Sequence, residues 1–125
     1  MRKVLLVEDD EPTKDIIKYL LRNVCELQTT NRGEVAIDLA QKTTFALILM
    51  DIKLDYGMNG IQATKNIRKI QGYEKIPIIA VTAYAMRGDE EYFLSQGLSY
   101  YIAKPFDLKK FVTTISDFLS FENND

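Results

Sequence analysis

Leu47-Ile48-Leu49-Met50-Asp51 is the stretch that decides the fold: four consecutive apolar residues, without polar alternation, that end on a carboxylate. A strand with one wet face alternates apolar and polar side chains. A short continuous apolar run predicts a strand covered on both faces, as in the parallel sheets of α/β proteins. Working outward, similar short runs lie at Val4 to Val7, Cys25 to Thr29, Ala46 to Met50, Ile78 to Val81 and Tyr100 to Ala103. Between them the apolar residues take a helical period: Ile16, Ile17, Leu20 and Leu21 after Pro12; Val35, Ala36, Leu39 and Ala40 after Gly33; Ile61, Ala63, Thr64, Ile67 and Ile70 after Gly60. A weaker helix is expected over Asp89 to Gln96. A strong one closes the chain, with Asp107 as its N-cap and Leu108, Phe111, Val112, Ile115, Phe118 and Leu119 as its stripe. Five β/α units in strict alternation predict an α/β, doubly wound parallel sheet joined by right-handed crossovers.

The length of 125 residues fits one domain, expected over residues 1–121 with a disordered tail over 122–125. Sixteen basic residues against eighteen acidic ones leave a net charge of -2, which gives no electrostatic footprint for direct nucleic-acid binding. The sequence has no histidine, which excludes zinc sites that need imidazole, Ser-His-Asp and Cys-His catalysis, and phosphohistidine chemistry within the chain. The single cysteine, Cys25, sits beside Val24 and Leu27 and reads as a buried structural thiol in a reducing compartment. Met1-Arg2-Lys3 runs into an apolar segment too short for a signal peptide or a membrane span. A cytoplasmic location without membrane association is therefore expected.

In doubly wound sheets ligands bind outside the carboxyl ends of the strands. The residues there are Glu8, Asp9 and Asp10 after the first strand, Asp51 after the third, Thr82 at the end of the fourth, and Lys104-Pro105 after the fifth. Singly, each has an ordinary reading as a helix cap, a turn residue, a strand-end hydroxyl or a solvated lysine. Together they place several carboxylates in one crevice, which is electrostatically unfavourable without a cation. Mg²⁺ (or Mn²⁺) takes oxygen ligands and commonly binds through one or two carboxylates plus a phosphate. Asp9 and Asp51, with Glu8 acting through water, supply such a set. A carboxylate can attack phosphorus to form an acyl phosphate. That transfer depends mainly on neutralising charge on the equatorial oxygens, for which the cation and Lys104 are suited, with the Thr82 hydroxyl as a further donor.

Four segments in this order resemble the receiver domains of two-component response regulators. They are Val4-Leu5-Leu6-Val7-Glu8-Asp9-Asp10-Glu11-Pro12; Leu49-Met50-Asp51-Ile52 with Met58-Asn59-Gly60 downstream; Val81-Thr82-Ala83; and Tyr101-Ile102-Ala103-Lys104-Pro105-Phe106. The resemblance implies a flavodoxin-like (βα)5 fold with strand order 2-1-3-4-5. It implies Asp51 as phosphoacceptor, Glu8 and Asp9 as the acidic metal pocket, the backbone carbonyl of Lys53 as a further metal ligand, and Lys104 as the phosphate contact. It also implies Thr82 and Tyr101 as a switch pair and a cis Lys104–Pro105 bond. The implied donor is a sensor histidine kinase or a histidine phosphotransfer protein. The implied output is a protein partner of unknown identity, reached through the fourth helix, fifth strand and fifth helix, with Tyr92, Tyr100 and Phe111 as candidate contacts. Such a domain promotes only its own phosphorylation and dephosphorylation. With the last helix ending the chain, signalling through protein contacts is expected, from a stand-alone protein or a unit of a hybrid kinase.

The sequence departs from the family pattern in places. Glu8 stands where aspartate is commoner, and the loop Leu54 to Gly60 is one residue longer than usual and lacks a proline after Leu54. Lys53 and Tyr84, two residues beyond Asp51 and Thr82, occupy positions that tune phosphate lifetime, and neither resembles a water-orienting carboxylate or amide. Three other readings are weaker. A flavodoxin-type FMN module would need a phosphate-cradling loop where Glu8-Asp9-Asp10 stands. A haloacid-dehalogenase-type phosphatase would need a carboxylate at Lys53. A phosphorylation-silent docking module would not need the acceptor set.

Overall fold

The computed structural model describes residues 1–54, 57–83 and 89–123. Its elements alternate as the apolar runs predict: β1 (Lys3–Val7), α1 (Glu11–Leu21), β2 (Glu26–Thr30), α2 (Gly33–Lys42), β3 (Leu47–Met50), α3 (Gly60–Arg68), β4 (Ile78–Thr82), α4 (Asp89–Ser95), β5 (Tyr100–Ala103) and α5 (Leu108–Asn123). The strands form one parallel sheet in the order β2-β1-β3-β4-β5. Apolar side chains leave both faces of β1, β3 and β4, so the core is two layers. One, around Leu5, Ile48, Ala80, Phe45 and Ile67, lies under α2 to α4. The other, around Leu6, Leu49, Val81, Ile17 and Ile115, lies under α1 and α5.

Side-chain caps start α1, α3 and α5. Asp10 accepts from the Thr13 N–H at 3.1 Å, next to Pro12 in the first turn of α1. Asn59 and Gln62 form a reciprocal capping box at α3. As expected, Asp107 caps α5, accepting from the Lys110 N–H at 2.8 Å. Cys25 is buried, and burial pushes its thiol up to about 11, which suits a structural thiol.

Far from the strand carboxyl ends, Arg68 closes the other side of the domain. Its guanidinium donates to the carbonyls of Gly97 (2.9 Å), Tyr73 (2.8 Å) and Ile76 (2.6 Å) and to Ser99 Oγ (3.2 Å). Ser99 Oγ in turn accepts from the Ile78 N–H at 3.1 Å, so one side chain ties the end of α3 to the starts of β4 and β5.

Several expectations need correction. β2 begins at Glu26 and β3 at Leu47, each one residue later than the apolar run suggests. Cys25 still belongs to the turn after α1, where its N–H donates to the Leu21 carbonyl at 3.2 Å. The stripes of α1 and α5 are narrower than their period: Ile16 and Leu108 are 46% and 52% exposed. α5 runs through Asn123, two residues into the stretch expected to be a tail. Among the described residues, no helix is long and apolar enough to cross a membrane.

Candidate functional site

Parallel pairing of β1 with β3 brings Val7 opposite Met50, so the residues just beyond them meet at one edge. The Asp51 N–H donates to the Val7 carbonyl at 2.9 Å, which extends the pairing one step past β3 and fixes the main chain of Asp51 beside Glu8 and Asp9. Carboxylate oxygens of Glu8, Asp9 and Asp51 all lie within 4.8 Å of one another. Glu8 and Asp51 are 1% and 6% exposed, while Asp9 is half-buried at the mouth of the crevice. Lys104 arrives from the far side of the sheet: its N–H donates to the Thr82 carbonyl at 2.9 Å, holding it at the end of β4. Its ammonium lies 2.6 Å from Glu8 Oε1 and 3.6 Å from Asp51 Oδ2, so it is paired tightly to one carboxylate and loosely to the other. The Lys104–Pro105 bond is cis.

The electrostatics follow from this crowding. Burial pushes the Asp51 carboxyl up to about 8, and the hydrogen bond and negative charge of Glu8 push the same way. Lys104 and the Lys53 N–H, which donates to Asp51 Oδ1 at 3.3 Å, oppose the rise without cancelling it. At Lys104, burial pulls downward, but the hydrogen bond to Glu8 and the charges of Asp51 and Glu8 outweigh it and raise the ammonium above its ordinary value. Three crowded carboxylates with one lysine leave an excess of hard oxygen donors, a set that fits a divalent cation such as Mg²⁺.

The third member of the acidic triplet is turned elsewhere. Asp10 caps α1, and its bonds from the Thr13 hydroxyl and N–H hold its carboxyl below the usual range. Thr82 is fully buried at the end of β4, the strand next to β3. Tyr101 lies opposite Ala80 on the edge strand, half-buried, 6.2 Å from Phe93 of α4 between ring centroids. It belongs to a line of rings. Phe93 is 6.0 Å from Tyr92, Tyr101 is 6.3 Å from Tyr100, and Tyr100 is 5.8 Å from Phe118 of α5. Tyr92 and Tyr100 are exposed, as candidate contacts should be. Phe111 is not: it is 1% exposed and stacks on Phe106 at 4.6 Å, so it is a core residue rather than a partner contact. Tyr84 lies outside the described residues, as do residues 55–56 of the lengthened loop.

Gly60 is a functional position that reading the sequence for chemistry passes over. A Cβ there would stand 2.1 Å from the Asp51 carbonyl oxygen, and the Gly60 N–H donates to the Ile52 carbonyl at 2.8 Å. The start of α3 can pack on the main chain of Asp51 only because this residue has no side chain. Asn59-Gly60 directly before an apolar stripe is the local signal for it.

This fold and pocket define a phosphoryl-accepting signalling class, and the chain belongs to the response regulator receiver domain family, whose sequence model matches residues 4–116. Receiver domains are signalling units of two-component systems, and acceptance of a phosphoryl group is general to them. The polar-differentiation response regulator DivK of Brucella ovis is 38% identical over 119 residues, covering 94% of this chain and 96% of its own. The receiver domain of the sensor histidine kinase PA1611 from Pseudomonas aeruginosa, solved with a magnesium ion coordinated in its active-site cleft, is also similar. It is 32% identical with a TM-score of 0.85, covering 95% of this chain and 98% of that one. Chemotaxis protein CheY4 of Vibrio cholerae has a TM-score of 0.86 at 25% identity, covering 94% and 98% of the two chains.

Proposed function

We propose that this domain accepts a phosphoryl group from a phosphohistidine donor onto Asp51 and relays the change through the α4–β5–α5 face to a protein partner. The observation that carries the proposal is the buried Asp51 carboxyl, crowded by Glu8 and Asp9, with the Lys104 ammonium 3.6 Å away. An Asp51 oxygen attacks phosphorus as the phosphorus–nitrogen bond of the donor breaks. The bonding pair leaves with the imidazole, and the aspartate becomes an acyl phosphate. Lys104 neutralises charge on the transferred group, and Thr82 offers its hydroxyl to one of the oxygens.

Asp9, Asp51, Glu8 and the Lys53 carbonyl would hold Mg²⁺ (or Mn²⁺), and the magnesium in the cleft of the PA1611 receiver supports that ion. When bound, the ion supplies positive charge to the phosphoryl oxygens. Beside Lys104 an apolar groove of about 440 Å³, lined by Ile16, Phe106 and Leu108 among others, offers a surface to a sensor histidine kinase or a histidine phosphotransfer protein. Tyr101 reads the phosphate. As Thr82 turns to the phosphoryl group, the Tyr101 ring shifts inward and the exposed rings of Tyr92 and Tyr100 present a changed surface. In this reading the chain catalyses nothing beyond gain and loss of its own phosphoryl group, and it works in the cytoplasm.

The test is intact-mass measurement after incubation with a small-molecule phosphodonor. One phosphoryl addition is expected with Mg²⁺, lost in EDTA and in Asp51→Asn. Equal labelling of Asp51→Asn would end the assignment of the acceptor.

A further inference from the structure

Residues 57–59, which lead into α3 beside the Asp51 main chain, are gripped from outside by a residue on another helix. Glu34 stands in the first turn of α2, where the helix dipole favours a carboxylate. Its Oε1 accepts from the Met58 N–H at 2.6 Å, a short charge-assisted bond across 24 residues of chain. That bond, and a second from its own backbone N–H, hold the carboxyl below the usual range. The contact needs a bare backbone on the loop side. Gly57 has φ +75°, and a Cβ there would lie 2.3 Å from Glu34 Oε1. Gly33 repeats the arrangement, since its Cβ would fall 2.8 Å from Met58 Cγ.

From Met58 the restraint runs straight to the acceptor. Asn59 is locked in the capping box of α3. Gly60, the next residue, packs on the Asp51 carbonyl and donates to that of Ile52. Glu34, Met58, Asn59 and Gly60 therefore make a continuous path from the start of α2 to the main chain that carries Asp51 and Lys53. Glu34 is not one of the three clustered carboxylates, and the path described here reaches them through residues 58–60.

We infer that Glu34 is a positioning residue for phosphoryl transfer: by holding the Met58 N–H it sets residues 57–59 ahead of α3, and through Gly60 it sets the Asp51 main chain and the Lys53 carbonyl. This deepens the phosphoacceptor reading and rests on it. Loss of a group that orients a metal's ligands typically lowers metal affinity or activity by about 10- to 100-fold, and Glu34, acting one step further out, is expected at the low end.

The test uses Mg²⁺ with beryllofluoride, a mimic of the phosphoryl group, titrated by amide NMR into the unmodified chain, Glu34→Ala, Glu34→Gln and Gly57→Ala. Urea unfolding is measured on each. Glu34→Ala is expected to unfold cooperatively yet to bind about 10-fold more weakly, with shifted Asp51, Lys53 and Gly60 amides. Glu34→Gln keeps an acceptor for the Met58 N–H and should stay within about twofold of the unmodified chain. Gly57→Ala leaves the carboxylate intact but pushes it off the loop, and should reproduce the loss even if Glu34→Ala does not fold. Unmodified affinity in Glu34→Ala, or in Gly57→Ala should Glu34→Ala not fold, overturns this inference alone, as does a Glu34→Gln as weak as Glu34→Ala. An unmodified chain that takes up no beryllofluoride overturns the acceptor assignment and this inference with it.

Discussion

Replacing Asp51 by asparagine removes an ionisable carboxyl from the crowded pocket while keeping the shape of the side chain and an acceptor for the Lys53 N–H. Most buried substitutions destabilise; this one is expected to stabilise. The Asp51 carboxyl is held at about 8 in the fold, against 3.8 for a free side chain. Between those values the folded state keeps a proton that the unfolded state has released, so stability falls as pH rises, by at most about 1.4 kcal/mol per pH unit. The stabilisation is complete below the unfolded value and lost as pH climbs through the folded one. At pH 7 the ceiling is about 4 kcal/mol, and relaxation of the pocket with water entry reduces the expected gain of Asp51→Asn to about 1–3 kcal/mol. Urea unfolding in EDTA from pH 4 to 8.5 measures it. The two proteins should converge near pH 4 and diverge as pH rises, and millimolar Mg²⁺ should narrow the gap by stabilising only the unmodified chain. An asparagine variant no more stable than the unmodified protein at pH 7 to 8 in EDTA would show that Lys104 fully offsets the buried charge, and the argument for an electrostatically strained acceptor would fail.

Three further outcomes are expected. Mg²⁺ titrations should show the largest affinity loss for Asp9→Asn, a smaller one for Glu8→Gln, and the least for Asp10→Asn, whose carboxylate is engaged at the start of α1; a dominant effect of Asp10→Asn would mean the acidic triplet has been assigned one residue out of register. Thr82→Ala should still bind beryllofluoride with Mg²⁺ at Asp51 but lose the NMR response of the Tyr101 ring, and perturbations confined to the pocket in the unmodified chain would remove Thr82 and Tyr101 as a switch. The acyl phosphate should be long-lived, because Lys53 and Tyr84 offer no group to align an attacking water, and Lys53→Asn with Tyr84→Glu should shorten its lifetime; an unchanged time course places the control elsewhere.

Much of this molecule is legible in its sequence because its central strands are hydrophobic without interruption. β1, β3 and β4 stand where their runs put them, within one residue at each end, and β5 occupies the expected Tyr100–Ala103. β2 is displaced because a buried apolar residue, Cys25, satisfies its N–H within the turn after α1 rather than in the sheet. Strand-end polarity points to Glu8, Asp9, Asp51 and Lys104 together, and the fold gathers them. Their roles were less legible, because the tight pairing of Lys104 with Glu8 joins residues 96 apart and depends on sheet order. Phe111 shows the limit of periodicity: a helical stripe identifies an apolar face but not whether it meets the sheet or a partner. Glu34 shows another, since a side chain reaching a loop N–H on a different unit leaves no local pattern beyond two glycines.

The guanidinium of Arg68 bears on how α4 can respond. By grasping the carbonyl of Gly97 and the hydroxyl of Ser99, it anchors the chain just beyond the last turn of α4 to α3 and to the root of β4. A helix moored at one end behaves as a lever with its fulcrum at Gly97, and the Asp89 end sweeps the larger arc. With that anchor in place, a displacement of α4 takes the form of a tilt rather than a slide. Its amplitude grows along the helix from Ser95 back toward Asp89, so the two ends of one short helix differ in mobility.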